Sequence, residues 1–483
     1  MQRYMVWVAA GLLLGVPFIL PLVWFLVLPG LAVFLYGIET AEDERERLLG
    51  GISVGTIKAM CALVTIWHVY PMVAFGLGPS LGQLILIGIF WILFSVSIGS
   101  GYLLLSWSRS YVYARSWFLM LFPLGVVIAD GVGSLGYSLF TLGPGNGVNL
   151  SYSFGYVGLA LADSELLITL ARWGGVYTLS CVAGVIAVLL YVVYVRRYTT
   201  SAIVGGASLL ALVIATNWLT PPFAPIGEDV VVVETYFDSV MRAQSTAEFT
   251  WSLTLRASVE AALRQPEQTV VLPEDSRFTD LFSSPERALA WIRTTRGDKP
   301  VRLIDSARTT LRDGRVVLRA YIYDTETNAV YTTDKQYLVP IGEYIPYLHQ
   351  PIVNVLSRFT SQSVLGASQY QPGPHTTYSD PSIGLPPILF CLESVSPFGV
   401  KQALDTNPGS FIVHPTSHSW FHRHTFFWPN LNRMLKVQAV WNQVPIVSAG
   451  NMNPSLLYLP DGTIMTTAPL ARGPYWSIKR YSF

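Results

Sequence analysis

Charge is what this 483-residue sequence has least of: 13% of its residues are Asp, Glu, Lys or Arg, while 51% are hydrophobic. With a mean hydropathy of +0.43, a single compact water-soluble domain is excluded as a description of the whole chain. Neither sign of charge dominates. The 31 basic and 30 acidic residues leave a formal net charge of +1, which gives no electrostatic footprint for nucleic acid and removes polyanion binding as a function. Cysteine is equally scarce. Three residues, Cys61, Cys181 and Cys391, cannot form a disulfide framework. The first two lie in long apolar runs, and only Cys391 belongs to a polar region. A lone thiol there is either a small buried hydrophobe or a reactive group, and usage alone leaves both open. Internal repeats and low-complexity tracts are absent.

What charge there is falls unevenly. Of the 61 charged residues, 17 lie in residues 1–219 (9 basic and 8 acidic) and 44 in residues 220–483, so the chain divides into two unlike halves. In the first half, apolar runs suited to a hydrocarbon core of about 30 Å cover about 5–19, 21–38, 57–78, 82–106, 117–135, 176–195 and 202–219. They predict a polytopic membrane domain over 1–219 with about seven spans, the first two short and broken from each other at Pro17 and Pro21. No small-residue cleavage site follows the first run, and further spans come at once, so it is not expected to be removed as a signal peptide. Arg3, Arg45, Arg47, Arg109, Arg115, Arg196 and Arg197 fall on one side if the spans alternate. The positive-inside rule makes that side cytoplasmic, which places residues 220–483 outside the cytoplasm.

Gly131, Gly133 and Gly136 spell G-x-G-x-x-G, but at the end of a span and without a preceding strand. Close helix packing is the expected use, not a dinucleotide site. Asp130 beside them is an ionisable group at membrane depth, which is costly unless it meets a partner or a polar cavity. A structural role in the bundle is the reading favoured for it. Lys58, near a span end, is expected to snorkel and is given no function.

From Thr220-Pro221-Pro222-Phe223-Ala224-Pro225 the pattern changes, and the prolines read as a linker. Strand-like runs now alternate with amphipathic segments: strands at Asp229–Phe237, Thr269–Leu272 and Val301–Ile304, and helices at 245–264 and 285–296. A hairpin is expected over 316–323 and 329–339, and short strands at Ile388–Cys391, Phe411–His414 and Pro445–Ser448. A helix at about 428–442 and a closing hairpin turning at Asp461-Gly462 complete the reading. These elements predict one α/β domain with a mixed sheet or a pair of sheets over residues 220–483. Reactive residues in such folds gather at strand ends, which ranks Glu274, Lys335 and Cys391. A carboxylate, an ammonium and a thiol could share one pocket, although each alone reads as easily as a surface residue or a buried thiol.

The residues around these three carry a resemblance. Leu272-Pro273-Glu274, Lys335 followed by Gly342-Glu343-Tyr344-Ile345-Pro346, Gln371-Pro372-Gly373 and Phe390-Cys391-Leu392-Glu393 occur in the order seen in bacterial apolipoprotein N-acyltransferases. The membrane half resembles that family too, in Phe154-Gly155-Tyr156, Ala162-Asp163-Ser164 and Gly174-Gly175-Val176-Tyr177. The resemblance implies a multi-pass helical membrane domain joined to an extracytoplasmic α/β domain of the nitrilase type, an αββα sandwich, in the bacterial inner membrane. It implies Cys391 as nucleophile, Glu274 as general base and acid, and Lys335 as oxyanion stabiliser, with Glu343 and Glu393 as supporting carboxylates and the Leu392 N–H as a second oxyanion donor. The implied partners are a phospholipid acyl donor and a diacylated apolipoprotein acceptor, with no cofactor or metal and a monomeric chain. A nearby ammonium is expected to lower the Cys391 pKa.

The chain departs from the family at several points. Leu392 stands where a Tyr is usual, Thr416-Ser417-His418-Ser419-Trp420-Phe421 replaces Ser-Asn-Asp-x-Trp-Phe, and Gln438-Ala439-Val440-Trp441 replaces Arg-Ala-x-Glu. No apolar span follows residue 460, where the family normally has a last membrane helix. Two other readings therefore remain: a membrane-tethered nitrilase-like amidase, and a non-catalytic nitrilase-like assembly or conjugation factor. His414, His418, His422 and His424 have a spacing that would align imidazoles on a helix. Pro415 and the apolar strand before it argue against a continuous helix, so a polar loop beside the site is expected instead of a metal centre.

Overall fold

The computed structural model describes residues 2–71, 80–112, 114–144, 152–195, 199–219, 223–238, 247–351, 370–373, 384–421 and 427–483. The first part is a bundle of helices: α1 (Gln2–Gly15), α2 (Val27–Thr40), α3 (Glu44–Ala62), α4 (Leu81–Ser108), α5 (Arg115–Phe140), the short α6 (Val157–Leu161), α7 (Gly175–Tyr194) and α8 (Thr199–Leu219). Among the described residues four helical stretches are long and apolar enough to cross a membrane: Pro21–Thr40, Leu81–Ser108, Arg115–Phe140 and Gly175–Tyr194. Tyr4–Phe18 and Ile203–Leu219 are shorter apolar helices. Ile85, Ile89 and Ile92 on α4, and Met120, Leu124 and Ile128 on α5, are exposed, as side chains facing hydrocarbon would be.

The run expected to span 57–78 is divided. The Asp43 carboxylate caps α3 by accepting the Glu46 N–H at 2.7 Å, so residues 57–62 become the last turns of a helix whose first turn carries Glu44, Arg45, Glu46 and Arg47. A 3-10 turn follows over Val64–Val69. This position of α3 also corrects the reading of Lys58. Its side chain does not snorkel but lies buried in the bundle, 2.9 Å from the Asp130 carboxylate on α5. Asp130 further accepts from the Ser180 hydroxyl at 2.9 Å, the Val157 N–H at 3.0 Å and the Tyr102 hydroxyl at 3.3 Å. One carboxylate thereby ties α3, α4, α6 and α7 to α5. Two of the three glycines after it serve close packing: a side chain on Gly133 would strike the Ile98 carbonyl of α4, and a Cβ on Gly136 would lie 2.6 Å from the Ser97 carbonyl, whereas Gly131 faces open space.

The second part is an α/β domain. Its strands are β1 (Asp229–Thr235), β2 (Thr269–Val271), β3 (Arg302–Thr310), β4 (Val316–Asp324), β5 (Ala329–Asp334), β6 (Ile412–Ser417), β7 (Ile446–Asn451), β8 (Leu456–Tyr458), β9 (Ile464–Met465), β10 (Ala471–Gly473) and β11 (Trp476–Ser482). One half-sheet runs β5-β4-β3-β2-β1 and the other contains β6, β7, β8 and β9. They join where β1 meets β7 through the single pair Thr235↔Asn451. Helices α9 (Ala247–Leu263), α10 (Pro285–Arg296), α11 (Pro397–Thr406) and α12 (Phe427–Asn442) cover the outer faces.

Strand alternation builds these layers. Val231 and Val233 face Leu255, Val259 and Ile292 of α9 and α10. Val230 and Val232 face Phe411, Val413 and Val447 of the other half-sheet. Ile412 and Ile446 then pack on Leu431, Leu435 and Ala439 of α12. All four valines of β1 are fully buried, each contributing about 1.5–3 kcal/mol by burial. The domain is thus helix on sheet on sheet on helix, in the expected class.

Two details differ from expectation. Ile388 makes only an isolated bridge, with Val413, and Cys391 opens a 3-10 turn, Cys391–Val395, instead of ending a strand. β11, Trp476–Ser482, was not among the expected strands. It pairs antiparallel with β1 over seven residues, and the Lys479 ammonium meets the buried Glu234 carboxylate at 2.8 Å.

The two parts meet at one end of the bundle. Arg433 of α12, buried in the joint, pairs with Asp163 and donates to the Pro17 carbonyl at 2.8 Å. Lys436 donates to the Ala162 carbonyl at 2.8 Å, and the Tyr344 hydroxyl to the Thr141 carbonyl at 2.6 Å. At the other end of the bundle, Glu39 gathers Arg109 at 2.6 Å and Arg115 at 3.0 Å.

Candidate active site

Glu274, Lys335 and Cys391 lie on three separate segments that the sheet brings together. Glu274 follows β2 by three residues, on a loop whose shape is set by Asp305 of β3. That buried carboxylate accepts the Phe278 N–H at 3.1 Å, the Thr279 N–H at 2.8 Å and the Ser276 hydroxyl at 2.5 Å. The turn needs such anchoring because Asp275 and Arg277 both adopt left-handed backbone, with φ of 55° and 57°. Lys335 directly follows β5, and its N–H still pairs with the Leu318 carbonyl of β4 at 2.9 Å. The chain then leaves the sheet earlier than the expected residue 339. Glu393 takes the N–H groups of Gln336 and Tyr337, at 2.7 and 3.3 Å, in place of strand pairing.

Lys335 is fully buried, and its ammonium bridges two carboxylates, Glu274 at 2.8 Å and Glu343 at 2.9 Å. Glu343 also accepts the Val339 N–H at 2.8 Å, which holds it in place beside the ammonium. Burial opposes the charge on Lys335, but the two carboxylates outweigh it and hold the ammonium well above its ordinary pKa. For Glu274 the balance goes the other way. Burial raises its pKa to about 7 even though the Lys335 charge pulls it down. Glu274 therefore changes its protonation state near neutral pH.

Cys391 stands at the start of its 3-10 turn, close enough to feel the charges of Glu274, Lys335 and Glu343. Its thiol accepts a hydrogen bond from the Thr416 hydroxyl at 3.2 Å. The expectation that Lys335 would lower the thiol pKa is not met. Burial, reinforced by Glu274, pushes the thiol up to about 12 against the pull of Lys335 and Thr416, so the resting sulfur is protonated and needs a base.

Glu393 does not touch Lys335. Its other oxygen accepts the Phe390 N–H at 2.8 Å, so it joins the chain after Lys335 to the chain before Cys391. Leu392 turns away from the polar groups and joins the apolar cluster that also holds Val395, Met434 and the bundle residues Tyr156, Val157 and Leu179. Thus Glu274, Lys335 and Glu343 form direct ion pairs, Cys391 lies against them, and Glu393 and Leu392 act through the backbone and the packing. Asp305 and Thr416 were missed as contributors. Thr416 had a signal, since it lies two residues from His414 on one strand.

His414 lies on β6, so the four histidines do not share a helix. His418 is buried just beyond that strand, and His422 and His424 lie outside the described residues. Among the described residues no group of three or more His, Cys, Asp or Glu is arranged to hold a metal.

Apolipoprotein N-acyltransferase from Geobacter metallireducens is 25% identical over 229 residues, 47% of this chain and 42% of the relative. The chain resembles the apolipoprotein N-acyltransferases. A second such relative, from Ralstonia nicotianae, is 23% identical over 317 residues, 61% of this chain and 55% of its own. The chain therefore spans about half the length of the curated relatives it matches. No protein-family model matches it. Among solved structures, a variant of a nitrilase-superfamily amidase from Nesterenkonia aligns with 55% of this chain and 93% of its own, at 15% identity and a TM-score of 0.34. A carbon-nitrogen hydrolase from Helicobacter pylori aligns with 53% of this chain and 89% of its own, at 13% identity and a TM-score of 0.33.

Proposed function

We propose that the chain is a membrane acyltransferase that moves a fatty acyl group from a phospholipid, through a thioester on Cys391, to the α-amine of a diacylglyceryl-cysteine lipoprotein. The observation that carries this is the buried Glu274–Lys335–Glu343 cluster against Cys391, with a thiol that is protonated at rest and a carboxyl poised near neutral pH. Glu274 takes the thiol proton as the sulfur attacks the ester carbonyl. Lys335 and the Leu392 N–H hold the negative oxygen of the tetrahedral intermediate. The intermediate collapses, Glu274 returns its proton to the departing lysophospholipid alkoxide, and the acyl group stays on sulfur. In the second half the amine attacks the thioester, Glu274 accepts the amine proton, and the Cys391 sulfur leaves and is reprotonated. The names of the relatives from Geobacter and Ralstonia agree with this reading.

A magnitude favours a lipid donor over a small amide. Drawing about 15 methylenes from a bilayer into water would cost roughly 12 kcal/mol at ~0.8 kcal/mol each, so a site for such a chain must adjoin the membrane. Leu392 and Val395, next to Cys391, belong to the apolar cluster of the helical bundle. The catalytic domain is assigned to the extracytoplasmic side of the inner membrane.

The test is the intact mass of the purified protein in phospholipid vesicles without acceptor. One acyl group should be gained, released by hydroxylamine and absent in Cys391→Ala. A diacylated lipopeptide with a free α-amine should discharge it quickly and water slowly. Rapid discharge by water would move the reading to an amidase, and a folded protein that gains no acyl mass would move it to a non-catalytic factor.

A further inference from the structure

Strand β6 sends two side chains to the Cys391 turn. His414 and Thr416, both fully buried, are two residues apart and so share a face of the strand. Thr416 reaches the sulfur, and His414 reaches the backbone. Its Nε2 lies 3.3 Å from the Cys391 carbonyl oxygen, and its Nδ1 lies 3.0 Å from the hydroxyl of Ser448, the residue opposite it on β7.

The chemistry of the partners fixes the ring. A carbonyl only accepts, so Nε2 carries the proton, and Nδ1 accepts from the Ser448 hydroxyl. Burial keeps the imidazole neutral, with its pKa lowered to about 4, so this arrangement holds through the neutral range. The Cys391 carbonyl has a second donor, the Ser394 hydroxyl at 2.6 Å, but Ser394 belongs to the same 3-10 turn and moves with it. His414 alone of the two ties that carbonyl to the sheet.

In a trans peptide the C=O and the following N–H point in opposite directions in one plane. Whatever holds the Cys391 oxygen therefore also aims the N–H of Leu392. We propose that His414 is a positioning residue: by anchoring the Cys391 carbonyl to β6 and β7, it sets the direction of the backbone donor that meets the oxyanion. This rests on the acyl-transfer reading, in which an oxyanion forms at Cys391.

Two reactions of the same sulfur separate positioning from general damage. Acylation, by vesicle phospholipid or by a p-nitrophenyl fatty ester, passes through a tetrahedral oxyanion. Alkylation by iodoacetamide is a displacement at saturated carbon and forms none. In the full-length protein, His414→Ala should slow acylation by about tenfold or more, below the roughly 10²–10³ lost when an oxyanion donor is removed outright. Its alkylation should stay within about twofold of wild type, since no oxyanion donor is used there. His414→Gln, whose amide N–H can reach the same carbonyl, should recover most of the acylation rate. Should His414→Ala fail to fold, Ser448→Ala is the second variant, and it should show the same selective loss at smaller size. Unchanged acylation in the folded variants, or equal slowing of both reactions, overturns the inference. A wild-type protein acylated by the p-nitrophenyl ester but not by phospholipid would sink the lipid-donor reading alone, and the His414 comparison would still be decided on the ester.

Discussion

Glu274, Lys335 and Cys391 are governed by different forces, and the order of those forces predicts a pH dependence. Lys335 stays charged because two carboxylates outweigh its burial. Glu274 is lifted to about 7 because burial outweighs one shared ammonium, and Cys391 is lifted to about 12 because burial outweighs the same ammonium at longer range. Below about 7, Glu274 holds a proton and cannot accept the one on sulfur. Above it, the carboxylate is available as base. The alkylation rate of Cys391 should therefore rise through about pH 7 in the wild-type protein. In Glu274→Gln that step should vanish, leaving only the rise toward the thiol's own alkaline range. A wild-type profile that is flat between pH 6 and 8 would remove Glu274 as the base. The identities of these residues were legible because their flanking motifs come in a familiar order. The thiol's protonation was not, since a sequence shows that a lysine exists but not how dry its surroundings are. Asp305 was illegible for a related reason: a lone acid inside a strand looks like a solvated residue until the loop it anchors is seen folding over it.

At the scale of elements, the apolar runs and the strand alternation gave most helices and strands. The misreadings came where a charge hides a burial. β11, which was not among the expected strands, carries Lys479, whose partner Glu234 lies in another part of the sequence. Lys58 looked like a snorkelling end, its partner Asp130 lying 72 positions away. A buried pair of this kind is asymmetric under mutation. Removing one member leaves an uncompensated charge and typically costs about 3–5 kcal/mol, whereas removing both costs less. Lys58→Met alone strands the Asp130 carboxylate, and Asp130→Asn alone strands the ammonium while keeping an acceptor for the Val157 N–H and a partner for Ser180. Each single variant should lower the thermal midpoint in lipid nanodiscs, and the double variant should recover part of the loss. If the two losses simply add, the pair is not coupled in the way its 2.9 Å separation implies.

On the scale of the whole molecule, two independent features select opposite ends of the bundle. Arg109 and Arg115 converge on Glu39 at one end. The α/β domain is fastened to the other through Arg433, Lys436 and Tyr344, which bind the chain at Pro17, Ala162 and Thr141. Arginines near span ends favour the cytoplasmic face, so the proposed orientation puts the domain, fastened at the far end, outside the cytoplasm, where lipoprotein amines would be met. The joint also reaches the candidate site, because α12 contributes Met434, Val437 and Val440 to the apolar cluster that receives Leu392. The prediction is that an alkaline phosphatase fused after Phe483 is active, while a reporter that works only in the cytoplasm is silent at that site. The same two reporters inserted in loops 39–51 and 107–116 should give the reverse result. Cytoplasmic activity after Phe483, with the reverse in the two loops, would invert the bundle and place Cys391 on the face away from lipoprotein substrates, which the acyltransferase reading could not survive.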